Sequence, residues 1–245
     1  MKDHATVASV AGDVVKTKTN FHVKVTKVAI IGVNANRTTA RSHGGWGYPG
    51  AGIVRTVQAV QQISDVAKAI ACRGLDAAFD SFQPALDGAG LAGVSAAEKL
   101  NAEPYRAMTE NSGGSLLCVA EKARLSIMSL AGAGLANAFG GGNQVADLQR
   151  GIGQLMDELG VDGVIMAMLN ADGMSADDSN LILFVRQPGV MMLRPAWQGM
   201  LKKGKVKFEP VIAKPHSDDE RVQNLARVYQ HSFELLVAKL ASDSK

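Results

Sequence analysis

The residues that could do chemistry in this 245-residue chain are few and scattered. Gly88-Ala89-Gly90-Leu91-Ala92-Gly93 spells G-x-G-x-x-G. A dinucleotide site needs a strand before that turn and a helix N-terminus after it, so that backbone N–H groups face a pyrophosphate. A helical pattern precedes it instead, so it reads as a glycine-rich turn from helix to strand. Gly132-Ala133-Gly134 has a strand pattern before it, but Asn137 takes the third glycine's place and no helix pattern opens there. It reads as a loop. His4, His22, His43, His216 and His231 show no metal-ligand spacing. His43 lies in a glycine-rich loop, and His231 falls off an apolar helical stripe and reads as solvated. No G-x-S-x-G elbow and no phosphate loop of the G-x-x-x-x-G-K-[ST] type occurs.

Two further groups could hold cations. Asp172, Asp177 and Asp178 cluster without the ligand spacing of a calcium loop, so the segment reads as a solvated hairpin turn. Seven of the ten methionines fall between Met156 and Met200, where core filling is their ordinary use. Lys203, Lys205 and Lys207 alternate along an expected strand. They could meet an acidic partner, but such a face is more often solvated and guards a sheet edge. Cys72 and Cys118 form no C-x-x-C pair. Cys118 sits in an apolar run and reads as a buried, inert thiol, with a single disulfide between the two left open. No catalytic residue, metal site or cofactor is expected.

Composition agrees. A net charge of +3 and 5% aromatics supply neither a basic face nor stacking platforms for nucleic acid. No segment approaches the roughly 20 apolar residues of a membrane-spanning helix.

The elements that would position these residues follow from periodicity. Residues 1–20 read as a flexible lead-in and 21–245 as one domain. Val28–Val33 and Val164–Leu169 are continuous apolar runs, which predict strands buried on both faces. A helical stripe from about 53 to 86 ends at Pro84 and at Asp87–Gly90. Ser95-x-x-Glu98 has the form of a capping box for a short helix carrying Leu100. Leu116–Leu130 reads as strand, one or two, with Glu121 and Lys122 at the break. Val145–Leu159 is amphipathic and stops at Gly160. Leu181–Val185, Val190–Leu193 and Gly204–Ile212 read as strands. Asp218–Ala241 closes the chain as a helix with Val222, Leu225, Tyr229, Phe233, Leu236 and Leu240 on one face. The fold class expected is α/β: a single sandwich domain, with helices packed on a mixed sheet. Glycine-rich residues 36–52 and 131–143 are expected to be its mobile internal segments.

The opening strand Lys27–Val33, the segment Glu158–Ala167 and the closing helix Tyr229–Leu240 together resemble a bacterial envelope superfamily. It includes the curli secretion channel lipoprotein, the lipoprotein activators of peptidoglycan synthases and the N-terminal domain of the Tol-Pal propeller protein. The region from Ala89 to Tyr105 is similar to further relatives. The resemblance covers about half the chain. It implies an α/β sandwich that binds proteins or self-associates, in the periplasm or at the outer membrane, without a shared active site. The chain as written has no lipobox cysteine and no secretion signal, and a native start of this form would instead mean a cytoplasmic protein. The leading expectation is thus a non-enzymatic binding or assembly protein of the cell envelope. The alternative is a small-molecule or nucleotide-binding enzyme using a glycine loop. Partner contact is expected at Trp46 and Tyr48, two aromatics in a polar glycine-rich loop; the competing reading makes Trp46 a lid over the sheet edge.

Overall fold

The computed structural model describes residues 14–21, 24–36, 65–103, 105, 118–125, 142–170, 178–186, 193–202, 204–206 and 208–244. In chain order the elements are β1 (Val15–Thr19), β2 (Lys27–Asn36), α1 (Asp65–Phe79), α2 (Phe82–Gly88), β3 (Ala92–Ser95) and α3 (Ala97–Asn101). There follow β4 (Cys118–Arg124), α4 (Gly142–Leu159), β5 (Gly163–Asn170), β6 (Asn180–Arg186), β7 (Leu193–Leu201) and α5 (Asp218–Asp243). The seven strands form one mixed sheet in the order β1-β7-β6-β5-β2-β3, with β4 also paired to β2. β2 runs parallel to β5 along one edge. Its other edge is shared, with β3 parallel over Lys27–Ile30 and β4 antiparallel over Gly32–Ala35.

The two apolar runs are central strands buried on both faces, as their composition requires. One face carries α1, α2 and α5. There Leu75, Phe82, Leu86, Tyr229, Phe233 and Leu236 pack on Ile30, Val33, Ile165, Leu183 and Trp197. The other face carries α3 and α4, with Leu100, Ile152, Leu155 and Met156 on Ile31, Val164, Met166 and Ile182. This is a single α/β sandwich domain.

A bulge in β2 resets its parity. Val28 and Ile30 face the first layer, and so do Val33 and Ala35, while the register to β5 slips between Ile30 and Gly32. Gly32 is required there, because a Cβ on it would stand 2.2 Å from the Leu125 carbonyl oxygen. α2 and α4 end alike. Gly90 (φ 83°) and Gly160 (φ 59°) take left-handed conformations, with Leu91 N–H donating to Leu86 O and Val161 N–H to Met156 O. Each turn delivers the chain into a strand parallel to β2. The G-x-G-x-x-G segment is therefore a helix-to-strand turn.

Several expectations are corrected. Val15–Thr19, read within the lead-in, forms β1, antiparallel to β7. The long helical stripe breaks at Asp80–Ser81, where the Ser81 hydroxyl donates to Ala78 O. Pro84 sits in the first turn of α2 and does not end it. Ser95 makes no capping box, since Ala96 is the N-cap of α3. The capping box belongs to Ser217 and Glu220, opening α5. Glu121–Lys122 marks a slip in register within one continuous β4 rather than a break between two strands. β7 runs on from Leu193 to Leu201, through residues the periodicity left unassigned. Described residues between 204 and 212 form no strand. β7 already has β1 and β6 on its two edges, so this alternating stretch has no place beside it. It straps onto α5 instead: Asn224 bonds both the N–H and the C=O of Ile212, each at 2.9 Å.

Candidate functional site

The chain leaves β2 toward α1 and β3 on one side, and leaves β5 toward β6 on the other. Where neighbouring parallel strands send the chain in opposite directions, an α/β sheet leaves a crevice at their carboxyl ends. Polar side chains gather at this point. Asn34 pairs in register with Met168, Met168 with Asn180, Asn180 with Met200, and Met200 with Lys16, so one row of side chains crosses five strands on the α4 side. One step further along, Asn36 is opposite Asn170.

Asn34 and Ser179 are fully buried and Asn170 nearly so, whereas Met168, Asn180 and Met200 are half-buried. The Ser179 hydroxyl oxygen accepts from Asn170 N–H at 2.8 Å. Among the described residues, Asn34 Nδ2 makes only a long bond to Leu125 O, at 3.4 Å, and its Oδ1 has no partner. A buried oxygen left without a donor is uncommon and calls for a reason. Side-chain amides and a hydroxyl can orient a ligand by hydrogen bonds. They hold no proton to exchange near neutral pH, so the row suits binding better than acid–base catalysis.

The perturbed ionisable groups lie elsewhere; Tyr229 is raised by burial alone, and the others are each matched by a partner. Burial, then the bond from its hydroxyl to Glu158 (2.7 Å), pushes Tyr105 up to about 12. Lys99 and then Tyr105 hold the Glu158 carboxyl below its ordinary range. Burial would raise Asp162, but donors from Thr26 N–H, Thr26 Oγ1 and Lys27 N–H (2.8–2.9 Å) outweigh it and hold the carboxyl low, at the entry to β2. Asp243 is likewise lowered against its burial by Lys239, by Trp197 Nε1 at 2.9 Å and by Thr17. Among the described residues no group of three or more His, Cys, Asp or Glu could hold a metal ion.

Trp46 and Tyr48, the residues that sequence singled out for partner contact, lie outside the described residues, as do His4, His22, His43, Asp172, Asp177, Lys203, Lys207 and the Gly132–Gly134 segment. So does most of the two stretches expected to be mobile; Asn36 ends β2, and Gly142 and Asn143 open α4. Asp178 adopts φ 64° just before β6. Met166 is fully buried core, as expected. His231 is not simply solvated. Its ring stacks on Phe208, with centroids 5.4 Å apart, and Nδ1 lies 2.9 Å from Glu234 Oε2. Cys118 is buried but is not a free thiol: it is joined to Cys72 by a disulfide that ties the start of β4 to α1. Sequence reasoning missed the asparagine row, because cross-strand alignment depends on register that no local pattern carries. Among the described residues, no helix is long and apolar enough to cross a membrane. Compared with models of protein families, with curated proteins and with solved structures, the chain matches none.

Proposed function

We propose that this chain is a non-enzymatic binding or assembly protein of an oxidising compartment, the bacterial cell envelope. The observation that carries this reading is the Cys72–Cys118 cross-link. Disulfides form and persist in the periplasm and outside cells, and glutathione and thioredoxin keep cytosolic thiols reduced. The resemblance of the opening strand, the α4–β5 junction and the closing helix to envelope domains supports the same compartment. Trp46 and Tyr48 are the first side chains to replace in a search for partners. Alkylating free thiols in intact cells before fractionation tests the compartment. The expected result is an unalkylated, cross-linked protein in the envelope fraction; a fully alkylated protein in the cytosol would overturn it.

A second reading, a small-molecule or nucleotide binder, is favoured by the unpaired Asn34 Oδ1 at the carboxyl ends of β2 and β5. A ligand at 100 times its dissociation constant adds about 2.7 kcal/mol of stability. A thermal-shift screen against nucleotides that leaves melting unchanged removes nucleotides from this reading, and a shift displaces the first one.

A further inference from the structure

α5 carries two stripes. Val222, Tyr229, Phe233, Leu236 and Leu240 form the buried stripe that packs toward the sheet. Asn224, Val228, His231 and Leu235 follow the i, i+4, i+7, i+11 spacing of a second one, roughly 150° round the helix. The chain between β7 and α5 lies along this second stripe. Val206 is buried in the same cluster as Val228 and Leu235. Phe208 stacks on the His231 ring at 5.4 Å, and the Asn224 amide takes both backbone groups of Ile212, each at 2.9 Å. Four extended residues span about 13 Å, and seven helical residues about 10.5 Å, so Phe208 to Ile212 runs antiparallel to α5 with little slack. The alternation that reads as a strand is that of an extended segment on a helix: Val206, Phe208 and Ile212 are buried or half-buried, whereas Lys205, Glu209 and Val211 are exposed.

This strap is held at few points. Among the described residues, Ile212 is the one position from 208 to 215 with a hydrogen-bonded backbone, and both its bonds go to one side chain. Pro210 and Pro215 have no N–H to give. An asparagine amide that accepts one N–H and donates to one C=O reads the main chain of an extended segment, whatever its sequence. The ring face of His231 and the apolar residues beside it add a preference for an aromatic side chain.

We propose that the second stripe of α5 is a peptide groove, that the strap is its resident occupant, and that an extended segment of a partner chain displaces it. The partner segment carries an aromatic residue for His231 and, four residues on, an aliphatic one whose backbone pairs with Asn224. This deepens the binding reading and rests on it. Being part of the same chain, the strap competes at an effective concentration of roughly millimolar order, so it shuts out weak segments and yields to better ones. When it lifts, the Asn224 amide meets water, and no buried polar group is left unsatisfied by the opening.

The test uses the full chain and a labelled peptide of its own residues 206–215, with fluorescence anisotropy reading affinity. Ile212→Pro in the chain removes the N–H that donates to Asn224 Oδ1 and leaves the groove itself untouched. That loosened chain should bind the peptide at least about tenfold tighter than wild type. The same Ile212→Pro made in the peptide should weaken it about tenfold, as should Phe208→Ala there, and Asn224→Ala in the loosened chain should remove binding. With peptide in excess, hydrogen exchange at the Ile212 amide of the wild type should quicken, which keeps the test decisive if the loosened chain fails to fold. Equal affinity of the loosened and wild-type chains, binding indifferent to the peptide's own substitutions, or an Ile212 amide unchanged by excess peptide would each overturn the groove and make the strap a fixed tie. Wild-type dimers that the peptide dissolves would overturn the partner, by making the occupant a second copy's strap. None of these readouts depends on compartment, so thiol trapping can fail while the groove stands, and the reverse.

Discussion

Removing the Cys72–Cys118 cross-link is the sharpest perturbation the fold offers. The two residues are 46 apart in sequence and join α1 to the first residue of β4. In the chain-entropy account, closing a loop of that length removes about 13.5 cal/mol/K from the unfolded ensemble, which is about 4 kcal/mol at 25 °C. A domain stable by roughly 5–15 kcal/mol would lose a large part of its margin. Cys72→Ala with Cys118→Ala is the suitable variant, since Cys118 is 5% exposed among apolar neighbours and serine would bury a hydroxyl there. Urea unfolding of the wild type, with and without reductant, and of the double variant gives three curves. Reduced wild type and variant should coincide, each about 4 kcal/mol below the oxidised protein. Their m-values should be larger, because an uncrosslinked chain exposes more surface when unfolded. A cost under about 1 kcal/mol, with mass spectrometry confirming the cross-link in the starting protein, would refute the reasoning. It would mean that the polar ties Asp76–Glu121 and Asp80–Lys122 already hold β4 in the unlinked chain.

Three further outcomes are expected. Gly32→Ala should cost about 3 kcal/mol in urea unfolding, since its Cβ meets a backbone carbonyl that cannot step aside, and a neutral result would place the bulge elsewhere. Tyr229 is fully buried and its hydroxyl has no partner among the described residues, so Tyr229→Phe should hold or raise stability by up to about 1 kcal/mol; a clear loss by calorimetry would reveal a hidden partner for that oxygen. Asp162 has a lowered folded pKa, so its contribution is present above the unfolded value, about 3.9, and is lost as pH falls through the folded value. The stability gap between wild type and Asp162→Asn should thus be constant above about pH 5 and shrink below pH 4, and a gap that widens in acid would reverse the assignment.

What was legible in the sequence was whatever local chemistry decides. Val28–Val33 and Val164–Leu169 could only be buried strands, and Gly160 stopped α4 where a left-handed residue was needed. The closing helix was read within two residues at its end. What failed depended on distant neighbours. Gly204–Ile212 alternates like a strand, but a strand needs a free edge, and β7 offered none. Ser95 and Ser217 begin the same S-x-x-E pattern, and the structure uses only the second as a capping box. Val15–Thr19 looked too polar to pack, yet an edge strand needs only one buried residue here, Val15. The candidate site was not legible at all: Asn34, Asn170 and Asn180 are unremarkable in sequence and meet only through the register of β2, β5 and β6.

The pairing of β1 with β7 also sets an order in time. Val15 lies opposite Leu201, 186 residues later in the chain. At roughly 5–20 residues per second of synthesis, the first strand leaves the ribosome about 10–40 s before its ladder exists. β2 waits too, for β5, but it can meet β3 and β4 on the way. β1 has no interim partner among the described strands, so it is the natural last piece to dock and the first a nascent-chain holdase would see. A chain released before β7 is made would carry that strand unpaired from birth.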